Sequence, residues 1–533
     1  MSTAGINRTG SLFFIYGSPG SGKSTLGARL AELLALPFFD LDEQIVAKSG
    51  QSIPEIFSTS GEAAFRAMEA DCLANLVQAE RGVISLGGGT LLDPQCRELA
   101  DRHGKILCLE AARAVLLQRT QQQAGVRPLL AGGEAAGRLA TLLARREEHY
   151  ASFPQRLDTT NLTPGQAAEQ ALLLLGAFHI RGMGAGYDVR VASGGLDMLG
   201  NMMRARGLSG PVALVSDNLV GRLYAARAAA VMEKSGYKTC ILQFAAGEEH
   251  KTLQTVSNLC EEFLAAGMER GSTVVALGGG VVTDLAGFAA AVYLRGVRWA
   301  AVPTSLLGMV DASLGGKTGV DLPQGKNLAG AFHAPAFVLA DTETLATLPD
   351  AELRSGLAEV VKAGLIADPG LFALCARGWD EMCSGDPGTM WGELVARAAA
   401  VKARFVEADP YEQGRRAALN LGHTVGHALE RATDYGLRHG EAVSIGMVIE
   451  AKIAEQLGMA EPGLADQIAA VCAGLGLPVS VPTGLTREEW IPWMQADKKK
   501  AGGAVRFALP VRIGEVRTGI AVDLEKINLE ERT

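Results

Sequence analysis

No apolar stretch of this 533-residue chain is long enough to span a bilayer. ALLLLGAF (Ala171–Phe178) is among the longest, far short of the roughly 20 residues a membrane helix needs. The polar start, MSTAGINRTG, has no signal-peptide core. The eight cysteines are scattered and none forms a C-x-x-C pair, which argues against a disulfide framework and for reduced thiols in a cytoplasmic protein. A basic excess is missing too. With 50 Lys and Arg against 58 Asp and Glu, the net charge of −8 speaks against a nucleic-acid partner, though a local basic pocket for a small anion is compatible with it. Nowhere does G-x-G-x-x-G occur, so the ordinary dinucleotide fingerprint is absent. What is present is ordinary for a soluble globular protein: 48% hydrophobic and 20% charged residues. The length exceeds what one core can organise.

Short apolar runs alternate with helical stretches up to about Leu175. SLFFIYG, GVISLGGG and KILCLEA read as strands; KSTLGARLAELLAL and AAGRLATLLARREEHY read as helices. Such alternation predicts α/β architecture with a parallel sheet. Residues 176–186 are glycine-rich and aperiodic, the signature of a linker. Alternation restarts with PVALVSDN, KTCILQF, STVVALGGG, VRWAAVPTS and AFVLADT, and from about Pro349 helices dominate. The expected organisation is therefore a first α/β domain over 1–175, a linker over 176–186, a second α/β domain over 187–348, and a mainly helical domain over 349–533.

GSPGSGKST (Gly17–Thr25) fits G-x-x-x-x-G-K-[ST] between a predicted strand and a predicted helix, the context that makes a P-loop specific. The backbone N–H groups of Gly20, Ser21, Gly22 and Thr25 would cradle phosphates at the helix N-terminus. Lys23 would reach the terminal phosphates and Ser24 would hold Mg²⁺. Asp40 and Asp42, at i and i+2 after an apolar run, would point to one side if both lay on a strand. Taken singly, they could be turn residues, and Arg66 could simply pair with Glu62 on a helix.

The run of GSPGSGKST, FFDLDEQI, GEAAFRAMEA, SLGGGT, RTQQQAGVRPLL and RREEHY resembles shikimate kinase over nearly the whole first segment. The resemblance implies ATP-dependent phosphorylation of shikimate with Mg²⁺. It implies that Asp40 helps order Mg²⁺ and that Asp42 binds the reacting hydroxyl. Arg66 and Arg146 would grip the shikimate carboxylate beside Gly87, Gly88 and Gly89, a planar bidentate task suited to Arg. Arg127 would meet the transferring phosphate from a lid, and Arg119 and Pro164 would flank the adenine. The family's R-x-P-L-Y reads REEHY here.

The triplet LGGG recurs at Leu277–Gly280, again at the end of a strand run, where it can be a nucleotide turn or a plain one. GHTVGH places His423 and His427 at i and i+4 on one helical face, His439 follows, and Glu359 lies on an upstream helix. Two imidazoles and a carboxylate suit a catalytic Zn²⁺ or similar ion, and spacing alone nominates both His423 and His427. A Glu359–Lys362 helical ion pair with two ordinary histidines is the plainer alternative. Lys317, Lys326, Lys362, Lys402 and Lys498, with Arg295 and Arg416, could form a basic pocket for a phosphorylated, carboxylated small molecule.

GEEHKTL, GGGVVTDLAGFAAAVYLRGV, VPTSLL, VDASLGGKTGVDLPQGKN, SGLAEVVKAGL, NLGHTVGHALE and HGEAV closely resemble 3-dehydroquinate synthase, from about Tyr187 to beyond Lys500. That resemblance implies NAD⁺ held by Asp217, Glu248, Lys251, Gly279, Gly280, Val281, Val282, Asp284, Thr304, Ser305, Lys317, Lys326, Thr344, Leu345, Ala346 and Thr347. It implies a divalent metal, typically Zn²⁺, on Glu359, His423 and His439, with His427 near the substrate rather than on the metal. Arg295, Asp311, Lys362, Lys402, Arg416, Asn420 and Lys498 would line the substrate pocket. Thr283 stands where the family usually has Gly. The two resemblances together imply a bifunctional shikimate-pathway enzyme with small-molecule partners, compatible with a homodimer through the second half. The rival readings are a metal-dependent polyol dehydrogenase for the second half and a non-catalytic nucleotide sensor for the first.

Overall fold

The structure is a computed structural model that describes residues 12–79, 81–121, 135–384, 387–498, 505–524 and 527. It forms two compact units, one of residues 1–179 with 197–208, the other of 180–196 with 209–533.

The first unit holds five parallel strands: β1 (Leu12–Gly17), β2 (Phe38–Asp40), β3 (Gly82–Ser85), β4 (Gly104–Glu110) and β5 (Arg156–Asp158), in the order β2-β3-β1-β4-β5. Side chains alternate along a strand, and β1 shows it. Phe13 and Ile15 enter a core with Leu26, Leu30 and Leu34 of α1 (Lys23–Leu34). Leu12, Phe14 and Tyr16 enter a second core beneath α2 (Leu41–Ser49) and α3 (Gly61–Leu76). Both faces are covered, so β1 is buried along its whole length, as its unbroken apolar run requires. The carboxyl ends of β1, β2 and β3 then open on the crevice where parallel sheets bind ligands.

In the second unit six parallel strands are β6 (Tyr187–Ala192), β7 (Val212–Asp217), β8 (Thr239–Phe244), β9 (Thr273–Gly278), β10 (Arg298–Pro303) and β13 (Phe337–Asp341), in the order β6-β13-β10-β9-β7-β8. Between β10 and β13 an antiparallel hairpin, β11 (Lys317–Leu322) and β12 (Gly325–Phe332), leaves the sheet. Helices follow, including α7 (Asp350–Ala367), α8 (Pro387–Ala408), α9 (His423–Ala432) and α10 (His439–Gln456); α4 (Ala135–Ala151) and α5 (Pro164–Leu175) belong to the first unit, and α6 (Gly280–Val292) follows β9.

The expected organisation needs three corrections. Residues 176–186 are not all loop, since Ala177–Ile180 is a strand. The helical part does not stand alone, because 349 onward shares one compact unit with the sheet. That part also ends in an unforeseen hairpin, β14 (Arg506–Arg512) and β15 (Glu515–Ala521). Phe507 and Leu509 of β14 are buried beside Val425 and Leu429 of α9, a long-range contact that local periodicity does not reveal.

Helices α7 and α10 are buried on nearly every side and hold the floor of the unit. Their crossings depend on glycine. A Cβ on Gly440 would overlap the carbonyl of Ser355 in α7, and one on Gly446 would overlap the carbonyl of Gly422 ahead of α9. Gly446→Ala should therefore destabilise the second unit by about 1–3 kcal/mol through overpacking against backbone. Gly392→Ala, also in a helix but with no atom of the other described elements within 4 Å of the added Cβ, should stabilise it by about 0.5–1 kcal/mol. Urea-unfolding midpoints of the two variants check this; equal effects of one sign would refute the close-approach account.

Candidate active sites of the two units

In the first unit the P-loop turns through Gly20 (φ 82°) and Gly22 (φ 95°), left-handed values that favour glycine. Gly22 is the N-cap of α1 and has no side chain to shield the helix's free N–H groups. Lys23 Nζ donates to the carbonyls of Gly17 and Ser18 at 3.1 Å each and so lies across its own loop. Ser21 is buried, whereas Ser24 and Thr25 are exposed. Ser24 Oγ donates to Asp40 Oδ2 at 2.6 Å, which brings together the two oxygens expected to order Mg²⁺.

Asp40 and Asp42 do not share a strand face. The strand stops at Asp40, whose carboxylate caps α2 by accepting from Asp42 N at 3.0 Å; Asp42 sits in the helix's first turn. Asp is a strong N-cap, and that preference outweighed the apolar run. Both carboxylates still stand at the carboxyl edge of the sheet.

The first glycine triplet is a crowded passage. A Cβ on Gly87 would overlap Glu69, one on Gly88 would lie 3.2 Å from the Gly17 carbonyl, and one on Gly89 would lie 2.8 Å from the Arg66 guanidinium. Arg66 makes the predicted Glu62 pair at 3.0 Å and a second with the buried Glu69 at 2.5 Å. Glu69, which the sequence did not single out, also accepts from Thr90 Oγ1 at 2.6 Å. Arg146 Nη1 and Tyr150 OH both donate to the Gly88 carbonyl, at 2.9 and 2.7 Å. The departure in REEHY has a local partner: His149 Nε2 lies 3.1 Å from Tyr16 OH. Burial pushes the Tyr16 hydroxyl well above its ordinary range and His149 below its own. Arg119 is tied to Thr159 by two hydrogen bonds, and Pro164 opens α5 behind a Thr163 cap. Arg127 lies outside the described residues.

In the second unit a cavity of about 2690 Å³ runs from the carboxyl ends of β7, β9 and β10 to the helices. At one end Gly279 caps α6 and Gly280 opens it, with Val281 and Val282 in the first turn on the cavity wall. A Cβ on Gly279 would press on Ser305 and one on Gly280 on Ala312, each at 3.3 Å. Thr283 does not intrude, since its hydroxyl donates to the Gly280 carbonyl at 3.0 Å and its side chain is buried. Asp217 accepts from Leu219 N and Val220 N at 2.8 Å. Buried Lys251 pairs with Asp284 at 2.7 Å and donates to Asn327 at 2.6 Å, with Glu248 at 3.8 Å. Burial pushes Asp284 up to about 6 against the pull of Lys251. Thr304, Ser305, Thr344 and Thr347 line the same end, whereas Leu345 and Ala346 are outside the lining.

The middle of the cavity is basic. Asp311 sits on a π-helical turn, a local irregularity common at functional sites, and pairs with Lys402. Burial works against the Asp311 carboxylate, but Lys402 and Lys362 outweigh it and hold its pKa low. Buried Arg416 donates to the Pro410 carbonyl at 3.0 Å, Asn420 is exposed, and Lys317 pairs with Glu412. Arg295 is exposed at φ 68° and is not among the residues lining this chain's cavity. The side chain of Lys498 lies outside the described residues.

Three helices converge at the far end. Glu359 of α7 is buried and pairs through Oε2 with Lys362, one turn on. Its other oxygen, Oε1, has no hydrogen-bond partner among the described residues and faces His439 Nε2 at 3.5 Å and His423 Nε2 at 3.7 Å. His423 Nδ1 is 3.1 Å from the Leu421 carbonyl, which leaves Nε2 turned to Glu359. The trio Glu359, His423 and His439 lies within the reach of one ion. His427, which spacing nominated equally, is 62% exposed and faces Glu430 instead, in a second trio with His439. Behind the trio, Glu450 of α10 accepts from Gly422 N at 2.6 Å and Val425 N at 3.3 Å, clamping the start of α9. Neither Glu430 nor Glu450 was predicted, because the partners that join them to the site, His439 and Lys326 for Glu430 and the start of α9 for Glu450, are distant in sequence.

Three family models match the chain: shikimate kinase over residues 19–175, 3-dehydroquinate synthase N-terminal over 241–355, and 3-dehydroquinate synthase C-terminal over 356–500. The 3-dehydroquinate synthase of Symbiobacterium thermophilum is 45% identical over 333 residues, 62% of this chain and 92% of that protein. That of Xanthomonas campestris pv. campestris is 47% identical over 320 residues, 58% of this chain and 86% of that protein. Among solved structures, the 2-epi-5-epi-valiolone synthase of Streptomyces hygroscopicus subsp. jinggangensis, with NAD⁺ and Zn²⁺ bound, is 30% identical. It matches with a TM-score of 0.58 over 64% of this chain and 94% of its own.

Burial pushes the Glu450 carboxyl up to about 8, against the pull of the amides it caps. A carboxyl whose pKa is raised on folding keeps its proton in the native state after the unfolded chain has lost it. Its contribution to stability therefore falls as pH rises from about 4.5 to about 8. Glu450→Gln removes that titration. Relative to the parent, the variant should gain on the order of a few kcal/mol between pH 5 and pH 8. Urea midpoints at both pH values check it, and pH profiles that run parallel would contradict it.

Proposed function

This chain belongs to the 3-dehydroquinate synthase family and carries a shikimate kinase domain ahead of it, and from that membership we propose how its residues divide the work of two reactions. The first unit phosphorylates shikimate with ATP to shikimate 3-phosphate. The second converts 3-deoxy-D-arabino-heptulosonate 7-phosphate to 3-dehydroquinate and phosphate. The observation that carries the synthase assignment is the unpartnered, buried Oε1 of Glu359 facing two imidazoles at the end of a lysine-lined cavity.

In the kinase unit, Gly20, Gly22 and the N-terminus of α1 hold the phosphates, and Lys23 turns from its own loop carbonyls to the terminal phosphates. Ser24 and Asp40, already in contact, hold Mg²⁺. Asp42 binds the reacting hydroxyl. Arg66, kept in place by Glu69, and Arg146 bind the carboxylate beside the glycine triplet. Arg119 and Pro164 flank the adenine, and Arg127 meets the phosphate.

In the synthase unit the residues fit both groups that the family implies. The side-chain-free N-terminus of α6 suits a pyrophosphate. A buried carboxylate oxygen without a hydrogen bond suits a cation, and a two-imidazole, one-carboxylate set suits Zn²⁺. Glu359, His423 and His439 would hold the ion, and Asp217, Glu248, Lys251 and Asp284 the rest of NAD⁺. When bound, NAD⁺ supplies reversible oxidation and the ion supplies Lewis-acid polarisation of an alcohol oxygen. Lys317, Lys402 and Arg416 bind the phosphate and carboxylate of the substrate and hold them against water. Lys362 compensates Glu359, and exposed His427 moves protons at the substrate. A neutral polyol would need none of this basic lining, which favours the synthase over a dehydrogenase. Eight free thiols support a cytoplasmic setting, and a homodimer through the synthase unit completes the proposal.

One protein tests both halves. Lys23→Ala should lose shikimate phosphorylation by at least about 100-fold, the scale of removing one charge-stabilising group. With the heptulosonate phosphate, the same variant should release phosphate in large excess over the NAD⁺ supplied, with no lasting NADH absorbance. Loss of both activities in a folded protein would refute the division of labour. One NADH accumulating per turnover would refute the synthase assignment.

A further inference from the structure

We infer that Glu430 is a positioning residue that serves the metal ligand and the cofactor-side hairpin of the synthase site at once, its carboxylate facing the outer ring nitrogen of His439 and accepting a hydrogen bond from the ammonium of Lys326. The inference rests on the synthase reading above and goes beyond it, since neither the family motifs quoted nor the ligand trio assigns Glu430 a role.

Glu430 is 3% exposed and lies on α9, one turn beyond His427. Its Oε1 stands 3.7 Å from His439 Nδ1 and 3.3 Å from Lys326 Nζ, and its Oε2 stands 4.0 Å from His427 Nε2. A neutral imidazole offers a cation one lone pair, and the nitrogen that carries the proton decides which. For His439 the choice lies between two carboxylates, Glu359 at Nε2 and Glu430 at Nδ1. Glu359 also faces His423 and has an oxygen to spare, so the ion belongs on its side. The proton then belongs on Nδ1, whose N–H faces Glu430 Oε1 at 3.7 Å, and Nε2 is left to the trio. His423 reaches the same tautomer by another route, through the Leu421 carbonyl. Ligating histidines generally have such a partner, and losing it typically costs about 10- to 100-fold in metal affinity.

A buried carboxylate also needs a compensating charge, and Lys326 supplies one. Lys326 comes from β12 of the hairpin, and its ammonium lies 4.4 Å from the Tyr435 ring centre. Replacing the carboxylate of Glu430 would therefore release two things together: the orientation of His439 and the anchor of Lys326, a residue expected to bind NAD⁺.

The experiment uses the full chain, with Zn²⁺ affinity read by chelator competition and NAD⁺ affinity by titration. Glu430→Gln should weaken Zn²⁺ about 10- to 100-fold and weaken NAD⁺ binding as well. It should alter the visible spectrum of the Co²⁺-loaded protein, and Glu430→Asp, which keeps the charge, should recover part of both losses. Shikimate phosphorylation should stay at the parental rate, and the urea midpoint of the second unit should report that it is folded. A second measurement needs no variant: ¹⁵N-histidine NMR of the parent with Zn²⁺ should show His439 protonated at Nδ1 with its Nε2 resonance shifted by the ion. Parental Zn²⁺ affinity in Glu430→Gln, or the opposite His439 tautomer, would overturn the role of Glu430. A parent chain that binds no divalent ion would instead overturn the synthase reading on which the inference rests.

Discussion

A carboxylate with one satisfied oxygen and one bare oxygen, sealed in a protein interior, is the constraint on which the synthase unit depends. Leaving such a charge uncompensated is expensive. Lys362, one turn along α7, neutralises Glu359 from one side. Burial raises Glu359, but Lys362 and His439 outweigh that and hold it well below the usual carboxylate range. The bare oxygen then defines a point at which His423 and His439 can meet it. They arrive from two other helices, so the geometry of the site is the geometry of three helix crossings. Gly440 and Gly446 permit the close approach, Glu450 fixes the start of α9, and the hairpin β14–β15 covers the same helix from outside.

The two glycine triplets show how one short sequence serves two physical ends. In the first unit, Gly87–Gly89 thread between Glu69, the P-loop and Arg66, so that any side chain would collide with a binding group. In the second, Gly278 ends a strand and Gly279 caps a helix without a side-chain hydrogen bond, so what matters is a helix N-terminus that its own cap does not screen. The first triplet keeps side chains out of a substrate pocket; the second exposes a helix terminus to a pyrophosphate.

Much of this was legible in the chain itself. Buried parallel strands, the P-loop between strand and helix, and both family resemblances rest on local pattern, and local pattern survives folding. What was lost is instructive. The i, i+2 argument for Asp40 and Asp42 assumed a strand that continues, whereas Asp40 prefers to cap a helix. The i, i+4 argument made His423 and His427 equivalent; the family resemblance set His427 apart, and in the structure Glu359, some 60 residues earlier, faces His423. Glu69 and Glu430 each have one partner a turn away on their own helix, Arg66 and His427, but the partners that give them their place, Thr90, His439 and Lys326, lie on other elements, as do those of Glu450.

Anomalous diffraction at the zinc edge, from crystals of the parent chain grown with Zn²⁺, asks most directly whether the bare oxygen of Glu359 is the organising feature of the synthase site. One peak at coordinating distance from Glu359 Oε1, His423 Nε2 and His439 Nε2 is the result predicted. A peak between His427, Glu430 and His439, or no peak beside Glu359, would contradict it.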